Sequence, residues 1–120
     1  LAPLPKAPAF VRGLVNLRGS ALPVLDLAAI LRLPATGVAD RPRILVVGLH
    51  DRPVGLAVDA VAGVVRIPAA AVEPAPSASA AQRHLVRRVA HLDDGRRMIL
   101  LLEIDALLDI DQLSLVVETV

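Results

Sequence analysis

Apolar and polar positions alternate from Val11 to Arg18. Val11, Gly13, Val15 and Leu17 share one side of an extended chain, and Arg12, Leu14, Asn16 and Arg18 share the other. Gly19-Ser20 marks a turn, and residues 21–27 (ALPVLDL) read as the returning strand. Pro23 has no N–H for a ladder, which points to an edge strand or a bulge. Asp26 is placed to cap a helix over residues 27–33, where Leu27, Ile30 and Leu31 form one stripe that Pro34 ends. Residues 43–49 (RILVVGL) have few polar interruptions, the pattern of a strand covered on both faces. HDRP then turns the chain into a partner strand over residues 54–61.

A further short strand is expected at residues 64–68 (VVRIP). Residues 69–81, small and rich in Pro, Ala and Ser, have the composition of a mobile exposed loop. Residues 85–92 and 96–104 face each other across Asp93-Asp94-Gly95, because Asp-Gly suits the positive φ values of a tight turn. Asp105 is placed to cap a closing helix over 106–110, and the tail QLSLVVETV fits either a helix or a final strand. Residues 1–9, with three prolines, read as an extended arm. Seven strands and two short helices, without βαβ alternation, long repeats or heptads, make the expected fold class all-β.

Composition narrows the core and the partners. The 120 residues are 55% hydrophobic, yet Phe10 is the one aromatic, so the core is built from many modest aliphatic burials. Thirteen basic and twelve acidic residues leave a net charge of +1. With no basic block longer than two residues and no ring series for bases to stack on, nucleic acid is not an expected partner. There are no cysteines, which fits a reducing cytosol. No apolar run reaches the roughly 20 residues of a membrane helix, so direct insertion is not expected.

Candidate chemistry is sparse. His50, His84 and His91 lack the short spacings of a zinc set. Ser20, Ser77, Ser79 and Ser114 have no nucleophile-elbow context. Phosphate-binding glycine loops are absent from the sequence. No cofactor and no catalytic residue are expected. Asp26, Asp59 and Glu103 interrupt apolar runs, and each is either exposed or buried with a partner, because an unpaired buried carboxylate is costly. Arg18 lies between glycines that permit close backbone approach, and its guanidinium is suited to fork onto a carboxylate or carbonyls.

Three blocks carry a resemblance. FVRGLVNLRGSALPVLDLAAIL, RILVVGLHDRPVGLAVDAVAGVVRIP and VRRVAHLDDGRRMILLLEIDALL are similar, in order and spacing, to the blocks of the CheW-like domain family. The likeness spans residues 1–108 and leaves 109–120 as an extra tail. It implies two small SH3-like five-stranded β-barrel subdomains. It also implies a non-enzymatic adaptor of chemotaxis signalling that couples chemoreceptor cytoplasmic tips to the regulatory domain of a CheA-type histidine kinase. Such a protein works in the cytoplasm, at membrane receptor arrays. By this resemblance Gly13, Asn16, Arg18 and Gly19 match the N-l-R-G element, and Val54, Gly55, Leu56, Val58 and Asp59 match a segment near which the kinase domain docks.

In the family, two strands precede the Pro-rich start, so the single CheW-like domain of residues 1–120 is expected to be N-terminally incomplete, with its first barrel short of strands. An excised fragment, strands lent by a partner in a swapped homodimer, and the tail filling the gap are the three ways to account for this. The alternative function is the regulatory part of a larger protein, either a CheA C-terminal region or an adaptor fused to a receiver domain. An enzyme using Asp59 or His91 is the third.

Overall fold

The computed structural model describes residues 8–33, 43–75 and 85–118. Two compact units divide the chain, residues 1–61 with 108–120 and residues 62–107.

The first unit is a four-stranded sheet with two helices. Its strands are β1 (Val11–Leu17), β2 (Ser20–Asp26), β3 (Arg43–Leu49) and β4 (Arg52–Val58), in the order β1-β2-β4-β3. β1–β2 and β3–β4 are antiparallel hairpins, and the central pair β2–β4 is parallel, matching Val24 with Gly55 and Asp26 with Ala57. The aliphatic pattern therefore folds as predicted within each hairpin, while the join between hairpins crosses about thirty residues of chain.

Pro23 corrects the edge expectation, since β2 is central. The two-residue turn makes Leu17–Ser20 a hydrogen-bonded pair. Alternation then directs the nitrogen of Pro23 away from β1. Pairing with β4 starts only at Val24, so no ladder bond is lost. β3 corrects the covered-strand expectation in the opposite sense. Among the described residues it is an edge strand, with Leu45 and Val46 39% and 50% exposed.

Asp26 caps the first helix as expected, its Oδ1 accepting from the Ala29 N–H at 3.2 Å. That helix, α1 (Leu27–Ile30), is shorter than its apolar stripe suggested. The tail is helical, α2 (Ile110–Glu118), so it does not supply a missing strand. The closing helix expected over 106–110 behind Asp105 does not form: Ile104–Ala106 make a 3-10 turn, and α2 begins at Ile110 with Asp109 as its cap. Asp109 Oδ1 accepts from the Gln112 N–H at 2.7 Å, and Gln112 Oε1 accepts from the Asp109 N–H at 3.0 Å. This reciprocal capping box satisfies two donors that the first helical turn would leave open. Leu113 and Val116 of α2 are buried, as are Leu22, Val24, Leu25, Leu49, Val54 and Leu56 of the sheet.

The second unit holds three antiparallel strands, β5 (Val72–Pro74), β6 (Val86–Leu92) and β7 (Arg97–Leu102), in that order. The smaller strand count among the described residues thus falls here. The expected strand at 64–68 is unpaired, and its place in the count is taken by β5. Ala69–Ala71 form a single 3-10 turn before it, so the first half of the supposed mobile loop is structured, and residues 76–81 lie outside the described residues. The closing turn spans residues 93–96, with Asp93, Asp94 and Gly95 all at positive φ as the Asp-Gly chemistry predicted. Leu85, Val89, Ala90 and Leu107 are buried. The Glu103 N–H donates to the Leu85 carbonyl at 2.8 Å, which ties the end of β7 to the start of β6.

Candidate interaction surface

The N-l-R-G element is the tip of the β1–β2 hairpin. Leu17 pairs with Ser20, leaving Arg18 and Gly19 as a two-residue turn with φ of 52° and 83°. Two consecutive positive φ values are what a type I′ turn requires, and this turn matches the natural twist of the flanking strands. Gly19 occupies that region at no steric cost, whereas Arg18 sits in it against its preference. Asn16 helps to hold the conformation, because its Oδ1 accepts from the Gly19 N–H at 3.1 Å. Asn16, Arg18 and Gly19 are all exposed, and Leu17 beside them is 42% exposed. A short, backbone-determined turn therefore presents one guanidinium to solvent.

Gly13 has a different task. It is buried, with φ of 150°, at the register shift between Val11 and Gly13, so it shapes a bulge inside the sheet.

The second group of candidates divides. Val54 is fully buried, Leu56 is 2% exposed and Gly55 is buried between them, because β4 is the central strand flanked on both sides. A Cβ on Gly55 would lie 2.8 Å from Ile44 Cγ2 and 3.3 Å from Val24 Cγ2. These three residues belong to the core and offer no free surface. Val58 is half-buried and Asp59 is exposed.

Topology also separates the exposed candidates. The parallel β2–β4 register puts the Arg18-Gly19 tip and the His50-Asp51 turn at one end of the sheet. Asp59 follows β4 at the other end, about 20 Å away at the usual rise per strand residue. The neighbour of the Arg18 tip is thus a second tight turn, His50-Asp51, with φ of 48° and 63°. His50 is half-buried, and its Nε2 donates to the Leu108 carbonyl at 2.9 Å, which anchors that turn to the segment leading into α2. Sequence reasoning missed this pairing of turns. Its only local trace is the polar HDRP between two apolar runs.

The remaining candidates have local partners. Glu103 lies 3.6 Å from Arg88, and His91 lies 3.5 Å from Glu73, across strands of the second unit. Both pairs are substantially exposed and contribute little to stability. His84 lies outside the described residues. No polar or charged side chain is buried among the described residues. Among those residues no helix is long and apolar enough to cross a membrane.

The sequence model of the CheW-like domain matches residues 1–112. This chain belongs to the CheW-like domain family. It is 39% identical over 105 residues to the "Chemotaxis protein CheW" of Rhizobium meliloti (strain 1021), covering 87% of this chain and 66% of that protein. It is 38% identical over 87 residues to the "Protein FrzA" of Myxococcus xanthus, covering 72% of this chain and 54% of that one. Among solved structures, the scaffolding protein TtCheW from Thermoanaerobacter tengcongensis superposes with a TM-score of 0.80 at 30% identity, over 93% of this chain and 75% of that chain. The CheW-like chain therefore spans about two thirds of the length of the curated relative from Rhizobium meliloti. In CheW-like terms, the N-l-R-G block is the hairpin tip just described, and in the second block Leu49 and the run from Val54 to Ala57 are buried.

Proposed function

We propose that this chain is a non-enzymatic adaptor of chemotaxis-type signalling, working in the cytoplasm at receptor arrays. It couples chemoreceptor tips to a CheA-type histidine kinase through protein contacts alone. The observation that carries the reading is the Asn16–Gly19 hairpin tip, where the residues matching the N-l-R-G element stand as an exposed, hydrogen-bonded turn on a CheW-like fold. A turn whose shape is set by backbone and one side-chain hydrogen bond loses little entropy on docking, and Arg18 can grip a carboxylate or a row of carbonyls in forked geometry. The relatives described above carry the names CheW and FrzA rather than that of a kinase, which favours the adaptor over a regulatory piece of a kinase.

The test is direct binding of the full chain to a CheA-type regulatory domain and to a receptor-tip fragment. Arg18→Glu is expected to abolish retention of at least one of the two, with the far-UV circular dichroism unchanged. Undiminished binding of both by that variant would remove the hairpin tip from the function. Asp59→Lys, at the far end of the sheet, reports separately on that end.

A further inference from the structure

Three non-glycine residues at one end of the first sheet hold left-handed backbone: Arg18, His50 and Asp51, with φ of 52°, 48° and 63°. Counting back four residues from the Val24–Gly55 match sets Ser20 level with Asp51, so the β1–β2 and β3–β4 turns end side by side. In the order β1-β2-β4-β3 the centres of the two hairpins are two strand spacings apart, about 10 Å. Leu49 pairs with Arg52, which leaves His50-Asp51 as a two-residue turn whose positions Asn and Gly fill at least cost. His50 has a use within the chain, because its Nε2 donates to the Leu108 carbonyl at 2.9 Å. The Asp51 carboxylate has none: it is exposed and forms no ion pair among the described residues. Arg18, of opposite charge at the same end, pairs neither with Asp51 nor with any other described residue. Left-handed residues whose side chains serve no contact inside the chain point to a use outside it.

We infer that Asp51 is the second contact of the surface that Arg18 begins, and that His50 is the positioning residue that holds it there. Arg18 takes a carboxylate of the partner protein, and Asp51 takes a cationic side chain about 10 Å away. The inference rests on the reading of the Arg18 tip as a docking contact, and adds the order of charge that the partner must carry. One basic turn alone accepts any exposed carboxylate. Two turns of opposite charge at a fixed spacing accept a carboxylate and a cation in one orientation and repel the reverse. Both turns are set before docking, one by the Asn16–Gly19 hydrogen bond and the other by the His50–Leu108 bond, which keeps the ordering cost of binding low.

The test is titration of the full chain against whichever partner Arg18→Glu releases, the CheA-type regulatory domain or the receptor-tip fragment. Asp51→Lys is expected to weaken that binding at least about tenfold, with the far-UV circular dichroism unchanged. Asp51→Asn suits the positive φ of the turn and removes only the charge. It should weaken binding less than Asp51→Lys and make Kd less dependent on salt. His50→Ala should raise Kd about threefold or more. His50→Gln, whose Nε2 can still donate to the Leu108 carbonyl, should recover most of that loss. A merely structural role for His50 would lower the melting temperature of His50→Ala and leave Kd, measured well below it, unchanged; that result overturns the positioning role. Binding that Arg18→Glu abolishes but that neither Asp51 variant alters overturns the inference and leaves the Arg18 contact standing. Binding indifferent to Arg18→Glu as well overturns both.

Discussion

Gly55→Ala probes how tightly the parallel centre of the first unit is fitted. The new methyl would lie 2.8 Å from Ile44 Cγ2 and 3.3 Å from Val24 Cγ2. Neither atom is the end of a flexible chain. Both sit on β-branched side chains whose χ1 is restricted, so relief requires an off-rotamer side chain or movement of a strand. Overpacking of this kind costs about 1–3 kcal/mol. Against it, replacing a strand glycine lowers the entropy of the unfolded chain and returns about 0.4–1 kcal/mol. The net expectation is a loss of about 0.5–2 kcal/mol. Without Trp or Tyr, the assay is denaturant unfolding followed by far-UV circular dichroism. The decisive measurement is a double-mutant cycle with Ile44→Ala, which removes the nearer obstacle. Gly55→Ala should cost markedly less, or stabilise, in that background, giving a coupling of about 0.5–2 kcal/mol. Equal cost in both backgrounds would refute the close approach of β3 to β4 as the reason for glycine at 55.

Other substitutions separate structural from binding roles. Arg18→Gly should raise stability by about 0.5–1 kcal/mol, because it relieves a left-handed non-glycine residue, while weakening kinase or receptor binding in the same retention assay. A gain in both would deny Arg18 a contact role. Leu56→Asp puts an unpaired carboxylate into the core and should cost more than about 4 kcal/mol, so the protein should lose its native circular dichroism. A folded variant with altered binding alone would return Leu56 to the surface. Asp109→Ala breaks the capping box of α2 and should cost about 1 kcal/mol, with faster amide exchange in the first helical turn. Unchanged exchange there would deny the cap its role.

The mostly β pattern and the three hairpins were legible because they are short-range, whereas the strand expected at 64–68 was misplaced and β5 formed at Val72–Pro74 instead. Period-two alternation and the left-handed preferences of glycine and aspartate act over a few residues, and Asp94-Gly95 lies in a turn for that reason. The first turn, expected at Gly19-Ser20, falls one residue earlier at Arg18-Gly19 because Ser20 pairs with Leu17. Asp26 as a cap was legible in the same way. Tertiary structure decided which strands lie inside. Residues 43–49 and 54–58 are similarly aliphatic, yet β4 is buried from Val54 to Ala57, while β3 stands at an edge with Val46 in solvent. Nothing in their composition separates them. The difference arises because β2 docks in parallel on β4, a pairing across about thirty residues whose energy comes from the whole sheet and its helical cover. That one long-range choice places Val54, Gly55 and Leu56 in the core, brings the His50 turn beside the Arg18 tip, and carries Asp59 to the other end. The tail was ambiguous in sequence for the same reason: its apolar residues suit a helix or a strand until the Asp109–Gln112 cap and the burial of Leu113 and Val116 select the helix.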